Sequence, residues 1–385
     1  MSAPRVFFYV QHLLGIGHLK RAAGIARAMA AHGLDVTLAS GGVPVPGIAL
    51  GGARLEQLPP ASAADLGFRR LLDEKGRDVD DAWKARRRDA LIASWRSSAA
   101  DVVVLELFPF GRRQMRFELL PLLDEIAAAP RRPLVVSSVR DILGGARSPE
   151  RQDEIVDFVE RRVDEVLVHG DATVVRFEET FPPARRIAGR LHYTGYVVDP
   201  AAAPAQEEGG EVLVSAGGGA VGSALLEASI AAKPRTSLRD RRWRVLTGHN
   251  LPQADFDRVV SLAAREPGVV VERSLPDFPA RLGACALSIS QAGYNTLLEA
   301  VQARARAIVV PFAAGQESEQ TLRARRFAER GLLDLVEEGE LDPGTLAAAV
   351  DRAAARPRPA PGAIDLAGAA NTARLVAAWA AGRAR

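Results

Sequence analysis

Short apolar runs alternate with longer amphipathic stretches through the first half of the chain. Strands are predicted at Val6–Val10, Asp35–Ala39, Asp101–Leu107, Pro133–Ser138 and Glu165–His169. An apolar stripe predicts a helix at about 18–31, and a second helix is predicted at 115–128. Continuous apolar runs are typical of strands buried on both faces of a parallel sheet. The first half is therefore predicted to be an α/β domain, with a charged, helix-prone segment at 73–96 that has no assigned role.

The same pattern starts again after a segment that is poor in large apolar residues. DPAAAPAQEEGG, at 199–210, has the composition of an exposed interdomain linker. Further strands are predicted at Glu211–Ser215, Trp243–Thr247, Val269–Glu272, Leu287–Ser290 and Ala307–Pro311. We therefore expect one Rossmann-like domain at 1–199 and another at 210–363. An alanine-rich helix is expected within 364–385 and could pack back on the N-terminal domain or on the second one.

The composition agrees with two folded domains, since the chain has 385 residues, of which 48% are hydrophobic and 25% charged. The formal charge of +3 does not favour a nucleic-acid partner. A single cysteine, Cys285, excludes an internal disulfide framework and a cysteine-based zinc cluster. No apolar run approaches the ~18 residues of a membrane span. A soluble, cytoplasmic protein is therefore predicted.

Polar residues that follow predicted strands are the first candidates for chemistry, because ligands bind beyond the carboxyl ends of parallel strands. Gly15 and Gly17 follow the first strand and precede His18 at the start of a helix. Glycines there let a ligand approach the backbone, and the unpaired amides of a helix start attract an anion or an oxyanion. The alternative is a plain tight turn in which His18 is a satisfied capping residue.

A longer glycine-rich segment follows the strand at 211–215. It contains Gly217, Gly218 and Gly219 and leads through Gly222 into a helix. Backbone amides of such a loop can wrap a diphosphate, assisted by the partial positive charge of the helix N-terminus. The segment is neither a Walker loop nor a clean dinucleotide fingerprint. The alternative is an interdomain turn that needs glycine only for its geometry.

The most specific pattern begins after the strand at 287–290. Gln291 and Gly293 lead into Asn295 and Thr296, and Glu299 follows one helical turn later. The amides and side chains of this helix start can hold a phosphate, and Glu299 on the same face can accept two hydrogen bonds from a ribose diol.

Glu319 and Gln320 come after the next strand and offer hydrogen-bonding groups suited to sugar hydroxyls. A nucleoside diphosphate-sugar would satisfy the glycine-rich loop, the helix start and this pair together. The alternative is that Glu299 and Glu319 are solvated charges on helix faces.

The stretch SISQAGYNTLLEAVQARARAIVVPFAAGQESEQTLRARRFAERG resembles the donor-binding signature of GT-B glycosyltransferases. It is similar to the family 28 type, which adds N-acetylglucosamine to the peptidoglycan lipid precursor, and to the plant UDP-sugar transferases. The matching positions are Gly293, Asn295, Thr296, Glu299, Val310, Pro311, Glu319, Gln320, Arg323, Ala324 and Gly331. The resemblance implies the GT-B fold, in which two Rossmann-like domains with parallel sheets face each other across a cleft.

The resemblance also implies roles on the donor side. Asn295 and Thr296 would bind the diphosphate, Glu299 the ribose, and Glu319 with Gln320 the donor sugar. Backbone near Leu275 would contact the base.

Two glycine-rich loops are part of the same resemblance. Gly217–Gly219 match the family's second loop, and Gly15, Gly17 and His18 match its first. Gln291 stands where the plant enzymes have a phosphate-contacting histidine, so only a neutral hydrogen bond is available at this position.

An inverting transfer needs a base in the first half of the chain. His18 is the first candidate, because an imidazole can take a proton near neutral pH, although the positive end of a helix lowers its pKa. Glu106 and Asp141 are the second candidates. Arg140 is expected in the acceptor or oxyanion region with Gly15 and Gly17, or in a structural ion pair with Asp141.

The predicted function is an inverting, metal-independent transfer of a sugar from a nucleoside diphosphate-sugar to an unidentified acceptor. A UDP-sugar such as UDP-N-acetylglucosamine is the expected donor. No cofactor is expected besides this co-substrate, and no Asp-x-Asp pair stands in a plausible metal site. Three alternatives are a nucleotide-sugar hydrolase, a 2-epimerase and a non-catalytic nucleotide-sugar sensor. The 2-epimerase is less favoured, because the paired-Glu donor loop of such enzymes is not visible at Gln291–Glu299.

One segment of the first half suggests a membrane contact. Leu107–Phe110 is apolar and is followed by Arg112, Arg113 and Arg116, which could lean on an anionic membrane or hold a lipid-linked phosphate. A solvated basic helix end beside a core strand is the favoured interpretation.

Overall fold

The computed structural model describes residues 3–13, 15–64, 70–145, 147–200, 210–217, 222–312 and 319–383. Its strands are β1 (Arg5–Val10), β2 (Asp35–Ser40), β3 (Arg54–Gln57), β4 (Ser62–Ala63), β5 (Leu71–Leu72), β6 (Val102–Glu106), β7 (Leu134–Arg140), β8 (Glu165–His169), β9 (Leu191–Tyr193), β10 (Val212–Ser215), β11 (Trp243–Leu246), β12 (Val269–Glu272), β13 (Leu287–Gln291), β14 (Ala307–Val310) and β15 (Asp334–Leu335).

Helices separate most of these strands. They are α1 (Gly17–Ala31), α2 (Asp81–Ser98), α3 (Arg116–Ala128), α4 (Pro149–Arg162), α5 (Phe177–Thr180), α6 (Ser223–Ala232), α7 (Gln253–Ala263), α8 (Phe278–Ala284), α9 (Tyr294–Gln302), α10 (Glu319–Glu329), α11 (Pro343–Ala355) and α12 (Gly368–Arg383). Short 3-10 turns lie at Arg113–Met115, Pro182–Arg190, Lys233–Arg235 and Glu338–Glu340.

The chain divides into two compact units. The first unit contains Met1–Leu143, Arg147–Val197 and Asp365–Arg385, and the second contains Gly144–Ala146 and Val198–Ile364. The C-terminal helix α12 therefore lies in the first unit, where it packs against α1. Each unit has its own parallel sheet, so the predicted α/β class with two parallel sheets is confirmed.

Among the described residues, the main sheet of the first unit has the strand order β3-β2-β1-β6-β7-β8-β9, and all its pairs are parallel. Alternate residues of β1 enter two different cores. Phe7 and Tyr9 pack on the side of α2, α3 and α4, whereas Val6, Phe8 and Val10 pack on the side of α1 and α12. Burial of both faces explains why this strand is continuously apolar.

The second unit has a parallel sheet with the order β12-β11-β10-β13-β14-β15 in the described residues. Val212 and Val214 of β10 pack with α6, α7 and α11 on one face. Leu213 packs on the opposite face, next to Leu282 of α8 and the buried Cys285.

Two predicted helices begin later than expected, and an acidic side chain accepts a hydrogen bond from a backbone amide near the start of each. The helix predicted within 73–96 starts at Asp81, since the carboxylate of Asp80 accepts a hydrogen bond from the Trp83 amide at 2.7 Å. Asp73 instead closes a turn by accepting from the Arg77 amide at 2.9 Å. The C-terminal helix begins at Gly368, after Asp365 accepts from the Ala367 amide at 2.8 Å.

Candidate functional site

The strand order of the first unit creates a crevice between β1 and β6. These strands are neighbours, but α1 connects β1 to β2 on one side, whereas α3 connects β6 to β7 on the other. Ligands of open parallel sheets bind at such a switch point, beyond the carboxyl ends of the strands. His18 follows β1 and Glu106 ends β6, and His18 Nδ1 lies 2.9 Å from Glu106 Oε1. The two predicted base candidates therefore form a pair at this crevice.

His18 is held in the first turn of α1. The helix starts at Gly17 with Ile16 as the N-cap, and no side chain caps its amides. A Cβ at Gly15 would meet no atom within 4 Å, so the space beside this glycine is open. The predicted glycine loop thus leaves uncapped amides and open space next to the histidine.

Glu106 is a buried carboxylate with several donors. Besides His18, Arg21 Nη2 contacts Oε1, and Ser138 Oγ donates to Oε2 at 2.6 Å. Burial alone would raise the pKa of Glu106, but the charge of Arg21 and the hydrogen bonds from His18 and Ser138 hold it well below its usual range. Glu106 is therefore ionised and can only accept hydrogen bonds.

An ionised Glu106 fixes the tautomer of His18. Burial, opposed by the Glu106 hydrogen bond and reinforced by the charges of Arg112, Arg21 and Arg140, lowers the His18 pKa to about 3, so the ring is neutral at pH 7. Nδ1 has two neighbours, the Glu106 carboxylate at 2.9 Å, which can only accept, and Arg21 Nη2 at 3.2 Å, which can only donate. The carboxylate is nearer and already binds Arg21 Nη2, so we assign the proton to Nδ1 and the lone pair to Nε2. The side chain of His18 is 16% exposed, whereas that of Glu106 is 0% exposed. His18 is the member of the pair that a substrate can reach.

Arg140 is the last residue of β7, and Asp141 follows it. Asp141 is fully buried, and a Cβ at Gly170 would come within 2.4 Å of its Cβ. Burial lowers the pKa of His169, and the negative charge of Asp141 opposes that shift. Arg140 is half-buried and contributes positive charge at His18. Asp141 is thus enclosed, and Arg140 is a source of positive charge near the crevice.

Arg112 adds a second such charge. Its backbone adopts the left-handed region, with φ 59, and its Nε donates to the Gln11 carbonyl at 2.7 Å. Burial lowers the Arg112 pKa to about 10, which leaves it charged at pH 7. The neighbouring Phe108 and Phe110 are buried in the core. These two rings are therefore not available for the membrane contact considered from the sequence.

The second unit has an equivalent switch point between β10 and β13. Helix α6 leads from β10 towards β11, and α9 leads from β13 towards β14. Gly222 and Gly293 are the N-caps of these helices, neither start has a side-chain cap, and neither has an acidic residue in its first turn. Both helix starts can therefore bind an anion.

A cavity of about 290 Å³ opens at this edge. Its lining consists of Gly222, Ser223, Ala224, Leu225, Gln291, Val310, Pro311, Phe312, Glu338 and Leu341. Gly222 has φ 119, and a Cβ there would lie 2.7 Å from Ala216 Cβ and 3.1 Å from Gln291 Nε2. Glycine is thus required for this approach to the predicted phosphate contact Gln291.

The remaining predicted donor-side residues lie around α9. Asn295 and Thr296 are half-buried in its first turn, and Glu299 is half-buried one turn later. Gly217 follows β10 with φ 74, and its amide donates to Ser215 Oγ at 3.2 Å. Gly218 and Gly219 lie outside the described residues.

Glu319 and Gln320 begin α10 and are tied to their surroundings. Glu319 is only 6% exposed and accepts from Arg323 Nη2 at 3.0 Å, and Arg323 lies over the Tyr294 ring at 4.9 Å. Gln320 Oε1 accepts from the Phe312 amide at 3.3 Å. Glu319 is therefore not a solvated charge.

Leu275 is the last of the predicted donor-side residues. It is half-buried ahead of α8, and its carbonyl accepts from the Phe278 amide at 3.4 Å. The described structure therefore places this residue in the turn that begins α8.

Comparison with known proteins relates this architecture to enzymes that transfer sugars. Residues 213–372 match the glycosyltransferase family 28 C-terminal domain. One relative, from Lactiplantibacillus plantarum, is 28% identical to this chain over 138 residues. Its name is UDP-N-acetylglucosamine–N-acetylmuramyl-(pentapeptide) pyrophosphoryl-undecaprenol N-acetylglucosamine transferase. That match covers 35% of this chain and spans about 37% of the length of the relative.

Solved structures match nearly the whole chain. The calicheamicin glycosyltransferase CalG4 has a TM-score of 0.59 at 16% identity, with 99% of this chain and 95% of that chain covered. MurG of Acinetobacter baumannii has a TM-score of 0.57 at 15% identity, with 98% and 100% covered. This chain has the GT-B fold and resembles MurG-type glycosyltransferases. Both the predicted resemblance and the predicted GT-B fold are confirmed, and the comparisons support a glycosyltransferase.

Another GT-B structure shows a nucleotide in such a protein. Os79 from O. sativa, described in complex with UDP, has a TM-score of 0.62 at 12% identity, and the match covers 97% of this chain and 100% of that chain.

Within the part of this chain that the structure describes, no helix is long and apolar enough to cross a membrane. The same residues contain no group of three or more His, Cys, Asp or Glu side chains arranged to hold a metal ion.

Sequence reasoning missed several groups around Glu106. Arg21 lies one turn after His18 in α1, and Ser138 and His169 lie at the carboxyl ends of β7 and β8. The rule that identified Gly15 and Gln291 considers residues that follow predicted strands. Ser138 and His169 are the last residues of their predicted strands, so the rule did not include them. Extending that rule to the last residues of each strand would have found Ser138 and His169.

Proposed function

We propose that this protein is an inverting, metal-independent glycosyltransferase that moves a sugar from a UDP-sugar to an acceptor hydroxyl or amine. The observation that carries the proposal is the His18–Glu106 pair at 2.9 Å, with the His18 ring partly exposed at a switch point. The family 28 domain at 213–372 supports a sugar donor in the second unit. UDP is named in the Os79 structure, and UDP-N-acetylglucosamine in the Lactiplantibacillus relative.

The first unit supplies the base in this proposal. The acceptor oxygen or nitrogen attacks the anomeric carbon and forms a new bond, while the bond from that carbon to the diphosphate oxygen breaks. The acceptor proton goes to His18 Nε2, and the diphosphate leaves with the bonding electron pair. Glu106 stabilises the imidazolium that forms, as an oriented carboxylate does in other histidine-based sites.

The second unit binds the donor. The uncapped starts of α6 and α9 offer partial positive charge to the departing diphosphate, which supports a reaction without a metal ion. Asn295 and Thr296 contact the diphosphate, and Glu299 contacts the ribose. Glu319 and Gln320 contact the donor sugar.

An anionic group on the acceptor would assist the base. The charges of Arg112 and Arg140 help to keep the pKa of His18 at about 3 in the protein alone. A phosphate or carboxylate bound next to them offsets these charges and raises the basicity of His18.

We also place the protein in the cytoplasm, because its single cysteine, Cys285, is a buried free thiol and needs no oxidising compartment.

Ligand screening and product analysis test this function. UDP-, GDP- and dTDP-sugars are compared by thermal shift, and we expect a UDP-sugar to raise the melting temperature most. UDP release is then measured with and without candidate acceptors. Acceptor-dependent release with a glycosylated product supports a transferase, stoichiometric free sugar without acceptor shows a hydrolase, and binding without any turnover shows a sensor.

A further inference from the structure

The His18–Glu106 pair continues into a buried row of polar side chains across the edge of the sheet. Ser138 Oγ, from β7, donates to Glu106 Oε2 at 2.6 Å and lies 2.8 Å from His169 Nε2, from β8. His169 Nδ1 lies 2.9 Å from the hydroxyl of Thr194, which follows β9. Glu106, Ser138, His169 and Thr194 are all 0% exposed. The row thus links the ends of neighbouring strands to the reactive pair without reaching solvent.

The donors of this row all point towards Glu106. Ser138 has one hydroxyl proton, and the carboxylate can only accept, so that proton lies on the hydrogen bond to Oε2. Ser138 Oγ must then accept from His169 Nε2, which fixes the proton of the neutral His169 ring on Nε2. Burial lowers the His169 pKa to about 3, which agrees with a neutral ring. His169 Nδ1 is left to accept from the Thr194 hydroxyl at 2.9 Å, which is nearer than the other acceptors of that hydroxyl, the Gly195 carbonyl at 3.1 Å and the Val168 carbonyl at 3.4 Å.

The far end of the row is anchored to the C-terminal helix. Asn371 of α12 donates its side-chain amide to the Thr194 carbonyl at 2.7 Å and to Asp365 Oδ2 at 3.0 Å. The Tyr196 amide donates to the Asp365 carbonyl at 2.7 Å. These contacts hold the backbone on either side of Gly195 and therefore hold Thr194 in place for His169.

We propose that Ser138 and His169 are positioning residues that lock the Glu106 carboxylate and thereby fix the tautomer and orientation of His18. They touch no substrate and act through Glu106. The proposal rests on the proposed function only for its kinetic consequence, because the orientation of His18 can be measured in the protein alone.

The neighbouring serine of β7 supplies a matched control. Ser137 is also 0% exposed, but its hydroxyl donates to the Phe108 carbonyl at 2.8 Å. Successive residues of a strand point to opposite faces, so Ser137 cannot reach Glu106. Ser137→Ala and Ser138→Ala therefore remove the same buried hydroxyl from two sides of one strand.

The first readout is the imidazole nitrogen spectrum of ligand-free protein labelled with ¹⁵N at its six histidines. We expect wild type and Ser137→Ala to show His18 as a single Nδ1–H tautomer at pH 7. In Ser138→Ala the carboxylate loses one restraint, and His18 should show a mixture of tautomers. A wild-type His18 signal in Ser138→Ala, or an equal change in Ser137→Ala, overturns the proposal.

The second readout is acceptor-dependent UDP release, measured with the UDP-sugar and the acceptor that the function screen selects. Ser138→Ala should lower kcat about tenfold and leave KM unchanged, as expected for one lost hydrogen bond to a charged group. Equal losses of kcat in Ser137→Ala and Ser138→Ala contradict the proposal. If wild type binds no UDP-sugar in the thermal-shift screen, the proposed function fails, and the nitrogen spectra still decide the positioning roles.

A second pair of variants covers the case in which Ser138→Ala does not fold. His169→Gln places an amide donor close to the position of Nε2, whereas His169→Leu removes it. We expect His169→Gln to retain the single His18 tautomer and His169→Leu to lose it. The same behaviour in both variants overturns the proposal.

Discussion

Replacement of Glu106 by glutamine removes one negative charge from the centre of the first unit. Arg21, whose side chain is 2% exposed, loses its counter-charge, and Ser138 and His18 lose a charged acceptor. Removal of one partner from a buried ion pair costs about 3–5 kcal/mol. Glutamine keeps one carbonyl acceptor, so we expect the lower end of that range. A stability of roughly 5–15 kcal/mol is typical of folded proteins, so the variant should remain folded.

The larger expected effect is on catalysis. Arg21 Nη2 and His18 Nδ1 share Oε1, so the glutamine carbonyl should stay there while its amide faces the Ser138 hydroxyl. The neutral side chain then no longer stabilises the imidazolium that forms when His18 takes the acceptor proton. The corresponding carboxylate-to-amide change in serine proteases lowers kcat about 10⁴-fold. We expect acceptor-dependent UDP release by Glu106→Gln to fall by about 10² to 10⁴ in kcat. KM for the UDP-sugar should stay unchanged, because the proposed donor-binding groups belong to the second unit.

Glu118→Gln is the matched control for this change. Glu118 is equally buried, but its partners are Arg87 at 2.8 Å and the Tyr9 hydroxyl at 2.6 Å instead of the groups that orient His18. Urea unfolding should show similar losses of stability in the two variants, whereas only Glu106→Gln should lose kcat by orders of magnitude. Equal losses of kcat would show that stability, and not the orientation of His18, explains the effect.

Three further predictions concern donor binding and pH. Glu299→Ala should weaken UDP binding at least tenfold in calorimetry through the loss of a charged hydrogen bond of about 1.5–3 kcal/mol, and an unchanged Kd would exclude the ribose role. Gly222→Val should abolish the thermal shift given by UDP, because its Cβ would lie 2.7 Å from Ala216 Cβ, whereas Gly217→Ala, whose Cβ would meet nothing within 4 Å, should retain at least part of it. His18 and His169 have pKa values of about 3 in the folded protein, against 6.5 for an ordinary histidine. The unfolded chain therefore binds more protons than the folded chain as the pH falls through 6.5. Each of the two histidines should lower the free energy of unfolding by about 2 kcal/mol between pH 7 and pH 5. His169→Leu should shrink the pH-dependent loss in urea unfolding by about that amount, and an unchanged loss would contradict the neutral, buried state of His169.

The fold was predictable because both faces of most strands are covered. Helices pack on each side of β1, so its run of apolar residues carries the signal of a buried parallel strand. The exposed edge strand β3, with the sequence RLEQ, has no such signal, and the sequence analysis did not predict it. Periodicity reports burial, so it misses a strand whose residues face water.

The proposed donor side of the second unit is encoded more locally in the sequence than the proposed base. Gly293, Asn295 and Glu299 lie within seven residues, so one local pattern contains them. The partners of Glu106 are His18 and Arg21 of α1 and Ser138 of β7, and His18 is 88 positions away from it. The register of the parallel strands brings β6 and β7 together at Glu106 and Ser138, and no local spacing encodes that register. The contact of Arg323 with Tyr294 joins α10 to α9, so no local pattern contains it either.

Comparison of His18→Ala with wild type tests the central claim most directly. UDP release from a UDP-sugar is measured by single-turnover kinetics, and donor affinity is measured by calorimetry on the same samples. If His18 is the base and the second unit holds the donor, the turnover rate falls by about 10² to 10⁴ in His18→Ala, while the donor Kd stays nearly unchanged. Near-normal turnover in His18→Ala would contradict the assignment of the base.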